Sequence, residues 1–152
     1  MRRLDQKLVS MSCYETRMKT LDELKLAQEL IRFPTVKTED KGIIKFLSKK
    51  LSSIGFKCIV IKSKGTGIKP ALNLYAKFGN SKPHINFLGH TDVVANLSNW
   101  KIPPFKGVIR KGYLNGRGSQ DMKGGIACFI SAISNFIKNE KFKGSISIII
   151  AA

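Results

Sequence analysis

The stretch His84-Ile85-Asn86-Phe87-Leu88-Gly89-His90-Thr91-Asp92 decides how the chain is read. Residues 84–88 form a short, mainly apolar strand, and Gly89 marks its end. In an extended segment residues i and i+2 point the same way, so His90 and Asp92 share one face at the strand's C-terminal end. Open α/β sheets hold their ligands at that end. A metal-binding imidazole usually donates its other N–H to a carboxylate, which fixes its tautomer and orientation. Asp92 can play that part, or be a ligand in its own right. Taken alone, His-x-Asp equally describes a surface turn with a chance ion pair.

Working outward, Gly79-Asn80-Ser81 turns the chain into this strand, and 72–78 and 56–61 read as two further strands separated by a Gly/Lys turn at 63–70. Before them, Leu21, Leu24, Ala27, Leu30 and Ile31 recur at helical spacing until Pro34, with Thr20 and Glu23 spelling a capping box. A second helix is expected over 41–53, with Ile44, Leu47 and Leu51 on one face and Gly55 beyond its end. Residues 1–19 lack any period and are expected to form an unstructured leader, with Met11 and Met18 as alternative starts. On the C-terminal side, a loop holds Trp100 and Pro103-Pro104-Phe105, and Val108-Ile109 and Tyr113-Leu114 flank Lys111-Gly112 as a hairpin. A helix over about 122–139 turns Ala127, Ile130, Ile133 and Ile137 inward, and 145–152 is a final apolar strand. This alternation predicts an α/β fold, a three-layer sandwich around a mixed, mostly parallel sheet, with 20–152 as one unit.

The composition narrows the function classes. A chain of 152 residues with 43% hydrophobic content can bury one modest core, which excludes low-hydrophobicity disorder. Cys13, Cys58 and Cys128 are too few and too scattered for a disulfide framework, and are expected to pack as reduced thiols. The apolar run at 148–152 is far shorter than the roughly 18 residues of a membrane span, and Met1-Arg2-Arg3 opens no secretory signal. A cytoplasmic protein without a membrane partner is therefore expected.

The net charge of +17 raises nucleic-acid binding. Only six of the 27 basic residues are Arg, however, and they are dispersed, whereas phosphate and base readers cluster and favour Arg. A solvated lysine surface is the better reading, and no nucleic-acid partner is expected. The acids say more. Between Asp40 and Glu140 the only acidic residues are Asp92 and Asp121, each in a turn beside an apolar segment.

Asp121 lies in Gly116-Arg117-Gly118-Ser119-Gln120-Asp121-Met122-Lys123-Gly124-Gly125. Glycines at this density describe a tight turn that aims one carboxylate. A phosphate-cradling loop fits poorly, because the G-x-x-x-x-G-K-[ST] spelling is absent and an anionic side chain at a helix start repels phosphate. Asp121 could also simply cap the following helix.

Taken together, Phe87-Leu88-Gly89-His90-Thr91-Asp92-Val93-Val94, Trp100, Pro104-Phe105, Gly116-Arg117-Gly118 and Asp121-Met122-Lys123-Gly124-Gly125 resemble the zinc-dependent aminoacylase/carboxypeptidase family of metallopeptidases. The likeness spans roughly 20–152. It implies that His90 ligates one metal, that Asp121 bridges two, and that Asp92 supports catalysis by orienting His90. The implied cofactors are two divalent ions, zinc or cobalt, which suit imidazole and carboxylate ligands. The implied chemistry is hydrolysis of a small N-acyl amino acid. The family often has a cis peptide after the bridging aspartate, here Asp121–Met122. One departure is Ala95, where proline is usual.

The resemblance also implies what lies beyond 145–152. There the family carries a pair of glutamates, one the general base and one a ligand, then a further acidic ligand, a second histidine and an inserted dimerisation domain. The chain is therefore expected to be an N-terminal portion, incomplete as a sandwich, weak in metal binding and inactive alone. Homodimerisation is expected of the complete enzyme. The competing expectations are a basic binding module and a non-functional remnant. His84 falls outside the pattern and is expected to be structural.

Overall fold

The computed structural model describes residues 20–37, 39–63, 70–95 and 100–151. The expected leader at 1–19 and most of the Gly/Lys turn lie outside the described residues. Helix α1 spans Glu23–Ile31, and its N-cap is Asp22, whose carboxylate accepts from the Lys25 amide at 2.7 Å. Thr20 therefore does not cap it, because Asp22 presents a carboxylate directly at the first turn. Leu26, Ala27, Leu30 and Ile31 face inward, while Leu24 is exposed. Leu24 lies two positions before Leu26, about 200° around the helix from the buried stripe.

Helix α2 (Ile43–Ser53) starts where the Asp40 carboxylate accepts from the amides of Gly42 and Ile44, and it buries Ile44, Leu47 and Leu51. Strands β1 (Lys57–Lys62), β2 (Leu72–Gly79) and β3 (His84–His90) follow. The hairpin of β4 (Val108–Arg110) and β5 (Tyr113–Asn115) forms where Lys111-Gly112 placed it. Helix α3 (Lys123–Asn139) then leads into β6 (Ser145–Ala151).

The main sheet runs in the order β1-β2-β6-β3. It is mixed, as the alternation of elements implied, but β1–β2 and β2–β6 are antiparallel and only β3–β6 is parallel, so its parallel share is smaller than expected. The final apolar strand is central. Ile146, Ile148 and Ile150 alternate into the core opposite Phe78, Ala76 and Leu74.

Residues of all three helices join these in one cluster, with Ile126, Ile130 and Ile133 from α3 and Ile44 and Leu47 from α2. The helices therefore cover one face, and among the described residues two layers of the expected sandwich are present. On the opposite face Ile59, Tyr75, Ile149 and Leu88 stand side by side across all four strands, and the two outermost, Ile59 and Leu88, are 58% and 62% exposed. Strand β3 is an edge. Its C-terminal end, level with the start of α3, is where the two polar motifs meet.

Candidate metal centre

His90 is the last residue of β3, paired with Ala151 of β6. The chain leaves the sheet at Thr91 yet stays fastened to it, since the Thr91 amide donates to the Ala151 carbonyl at 2.9 Å. A second segment braces the turn. The Thr35 hydroxyl donates to the Thr91 carbonyl at 2.5 Å, the Val93 amide donates to Thr35 O at 2.9 Å, and the Lys37 amide donates to Val93 O at 3.2 Å. Val36 and Val93 thereby form a short parallel bridge. Asp92 is thus held by a backbone strap that no side-chain pattern announced.

The glycine-rich turn approaches from the other side. Gly118 has φ +86°, a left-handed conformation that glycine adopts without steric cost. A side chain at Gly124 would run into the carbonyl oxygen of Ser119, so the close start of α3 needs a glycine there. The Asp121–Met122 peptide is cis. Met122 precedes α3 and no side chain caps it, so Asp121 is not spent on the helix terminus. Its carboxylate is 81% exposed and projects into a cleft of about 290 Å³ lined by His90, Asp92, Trp100, Arg117 and Gln120 among others.

The imidazole of His90 sits between the two acids. Its Nδ1 is 3.1 Å from Asp92 Oδ1 and 3.3 Å from the Asp92 carbonyl, and its Nε2 is 3.2 Å from Asp121 Oδ1. Both contacts on the Nδ1 side belong to Asp92, which thereby fixes the orientation of the ring and turns Nε2 toward the cleft beside Asp121. The donor chemistry fits a divalent ion. Zinc bonds of about 2.0–2.1 Å at a tetrahedral angle put two ligand atoms about 3.3 Å apart, close to the Nε2–Oδ1 spacing. The set is incomplete, since among the described residues no cluster of three or more His, Cys, Asp or Glu is arranged to hold a metal.

Two residues of the centre had no assigned part in the sequence reading. Arg117 lays its guanidinium 4.9 Å from the Trp100 ring centroid and forms a wall of the cleft with it. Lys123 is fully buried, and its ammonium donates to the Phe33 carbonyl at 2.7 Å. Burial lowers its pKa to about 8, against the opposing attraction of Asp92. A lysine at a helix start gives no sequence sign of such burial.

His84 lies at the far end of β3, its ring nitrogens 2.8 Å from the Ser145 hydroxyl and 3.0 Å from that of Ser147, and takes no part in the centre. Cys58 is half-buried with Sγ 3.6 Å from the Ser48 carbonyl, whereas Cys128 is exposed on α3 and does not pack as expected. Cys13 lies outside the described residues.

Sequence and fold both resemble those of known proteins. Residues 87–152 match the model of Peptidase family M20/M25/M40. The chain is 48% identical over 136 residues to a succinyl-diaminopimelate desuccinylase of Pelagibacter ubique, an alignment covering 88% of this chain and 35% of that one. It is 44% identical over 133 residues to the enzyme of the same name from Ehrlichia canis, covering 86% and 34%. The chain thus spans about a third of the length of the curated relatives it matches.

Among solved structures, human carnosine dipeptidase 1 superposes with a TM-score of 0.77 at 18% identity, over 94% of this chain and 33% of that one. An M20 family metallo-carboxypeptidase from Sulfolobus solfataricus gives 0.74 at 23% identity, over 85% and 30%. These two share the fold.

Proposed function

We propose that the chain, which matches the model of Peptidase family M20/M25/M40 over residues 87–152 and aligns with the desuccinylases over most of its own length, is the metal-binding front portion of an amide hydrolase of that family. In this reading the complete enzyme acts on N-succinyl-LL-2,6-diaminopimelate, releasing succinate and LL-2,6-diaminopimelate in the cytoplasm, a step toward lysine. Another N-acyl amino acid or a dipeptide is the alternative substrate within the same family. The single observation that supports the metal role is the imidazole of His90 held between Asp92 and Asp121.

Each residue then has a definite task. Asp92 accepts the Nδ1 proton and keeps the ring from turning. His90 offers Nε2 as a neutral donor. Asp121, mostly exposed in the cleft, is the carboxylate that the two ions would share. When bound, divalent zinc or cobalt polarises the scissile carbonyl and lowers the pKa of water toward neutrality.

The resemblance places the general base after the strand at 145–152. Glu140 cannot serve, because it follows the 17-residue α3, about 25 Å from Asp121. The chain alone therefore binds metal weakly and does not turn over.

The test is calorimetric titration of the chain and of His90→Ala with Zn²⁺. It is followed by succinate release from N-succinyl-diaminopimelate when the chain is co-expressed with the C-terminal two-thirds of the Pelagibacter ubique relative. Weak binding lost in the variant, with turnover only in the reconstituted pair, is expected. Equal zinc binding by both proteins would overturn the metal role of His90.

A further inference from the structure

Lys123 poses a problem that the proposed chemistry does not answer. Fully buried lysines are rare unless paired, because desolvating an ammonium is costly, and a methionine or leucine would fill a similar volume without that cost. The side chain is nevertheless closely accommodated. Its stem passes Gly118 so tightly that a Cβ there would stand 3.0 Å from Lys123 Cδ, and its own amide donates to Gly118 O at 2.9 Å. The ammonium then reaches out of the Asp121 turn to the Phe33 carbonyl, 2.7 Å away. Phe33 is held in turn against Phe46 of α2, with ring centroids 5.3 Å apart.

What Phe33 leads into gives the contact its meaning. Two residues on, Thr35 begins the strap that grips Thr91 and Val93 on either side of Asp92. The contacts run from the Asp121 turn through Lys123 to Phe33, along the strap, and into the turn that carries Asp92. Asp92 also attracts the ammonium electrostatically. His90 and Asp121 lie on segments distant in sequence, and this buried chain of contacts links the two behind the cleft.

We propose that Lys123 is a positioning residue: by anchoring the Asp121 turn to the Phe33–Lys37 strap, it sets the separation of Asp121 from His90 and keeps the imidazole aligned on Asp92. The proposal rests on the reading of His90 and Asp121 as metal ligands, since their spacing is what it explains.

The experiment compares the wild-type chain with Lys123→Met, which keeps the bulk of the stem, and Lys123→Gln, which keeps a neutral donor. Circular dichroism reports folding, calorimetry reports Zn²⁺ affinity, and ¹⁵N-histidine NMR without metal reports the tautomer and hydrogen bonding of His90. Lys123→Met is expected to keep its helical spectrum, to lose about 10- to 100-fold in Zn²⁺ affinity, the range for partners that orient ligands, and to lose the single-tautomer signature of His90. Lys123→Gln should recover part of both. A folded Lys123→Met with unchanged affinity and an unchanged His90 signature overturns the proposal.

If both variants unfold, Thr35→Val decides. It cuts the strap from Thr91 without entering the Lys123 slot, and an unchanged His90 signature there overturns the proposal as well. A wild-type chain that binds no Zn²⁺ sinks the metal reading, whereas the metal-free NMR comparison still judges Lys123 by itself.

Discussion

Nε2 of His90 stands 3.2 Å from Oδ1 of Asp121, although one residue ends a strand and the other closes a glycine-rich turn well downstream. That spacing matches two ligands on one tetrahedral ion. On the proposed reading, Asp121→Asn, which keeps the size of the side chain and removes its charge, should weaken Zn²⁺ binding at least tenfold with little change in melting temperature. Calorimetry and a thermal melt check both halves of the statement.

Asp92 touches the other side of the same ring, and its effect should depend on what replaces it. Asparagine still offers Nδ1 a side-chain acceptor through its amide oxygen, whereas alanine leaves only the main-chain carbonyl of residue 92. Asp92→Ala is expected to lose about 10- to 100-fold in Zn²⁺ affinity and Asp92→Asn distinctly less. Equal losses in the two variants would mean that charge, and not orientation of the imidazole, is what Asp92 supplies.

Lys123 makes stability depend on pH in a definite direction. Desolvation by burial, only partly opposed by Asp92, lowers its pKa from 10.5 to about 8. Between those values the unfolded chain holds more protons than the folded one, so this group makes stability rise with pH across that window. Below about 8 the ammonium is charged in both states, and its full burial cost is present. Urea unfolding at pH of about 7.5 and about 9.5 should show the wild type gaining stability relative to Lys123→Met, by a few kcal/mol at most. Identical pH slopes for the two proteins would contradict this.

At Gly124 backbone geometry leaves no space for a side chain. A methyl group there meets the Ser119 carbonyl, which belongs to the turn carrying Asp121 and cannot rotate away as a side-chain tip would. Gly124→Ala should cost roughly 1–3 kcal/mol, the usual penalty of overpacking, and disturb metal binding as well. Gly125→Ala is the control, since nothing lies within 4 Å of its added Cβ; substitution there should be neutral or mildly stabilising.

The row Ile59, Tyr75, Ile149 and Leu88, together with the edge of β3 that no described strand pairs, leaves apolar surface and backbone hydrogen-bonding groups among the described residues open to association. The net charge of +17 opposes this by mutual repulsion. Self-association measured by sedimentation should therefore increase with salt, as screening shortens the reach of that repulsion. Leu88→Lys should suppress it. Association that falls with salt would point to charge pairing between chains as the cause.

Much of this architecture was legible because its signals are local. Ile44, Leu47 and Leu51 announce the buried stripe of α2, Lys111-Gly112 announces its hairpin, and the apolar run at 145–152 announces the final strand. His90, Asp92 and Asp121 could be singled out because acids are scarce in that region and glycines are dense. What stayed hidden depends on tertiary placement. Whether Leu24 or Leu26 faces the core is decided by the helix's neighbours, and so is the split between parallel and antiparallel pairings. The strap from Thr35 to Val93 consists mainly of backbone hydrogen bonds, which leave no residue pattern. Lys123 looks like any of the other lysines until its burial is seen.

The parallel register of β3 and β6 pairs His90 with Ala151, so the two strands finish level at the same rim of the sheet. A side chain at position 151 therefore stands beside the imidazole on the same face of the sheet. That makes position 151 a natural place to build one more ligand into the cleft. Ala151→Glu would test whether an added carboxylate at this rim tightens the grip on a metal, with the rest of the scaffold left untouched.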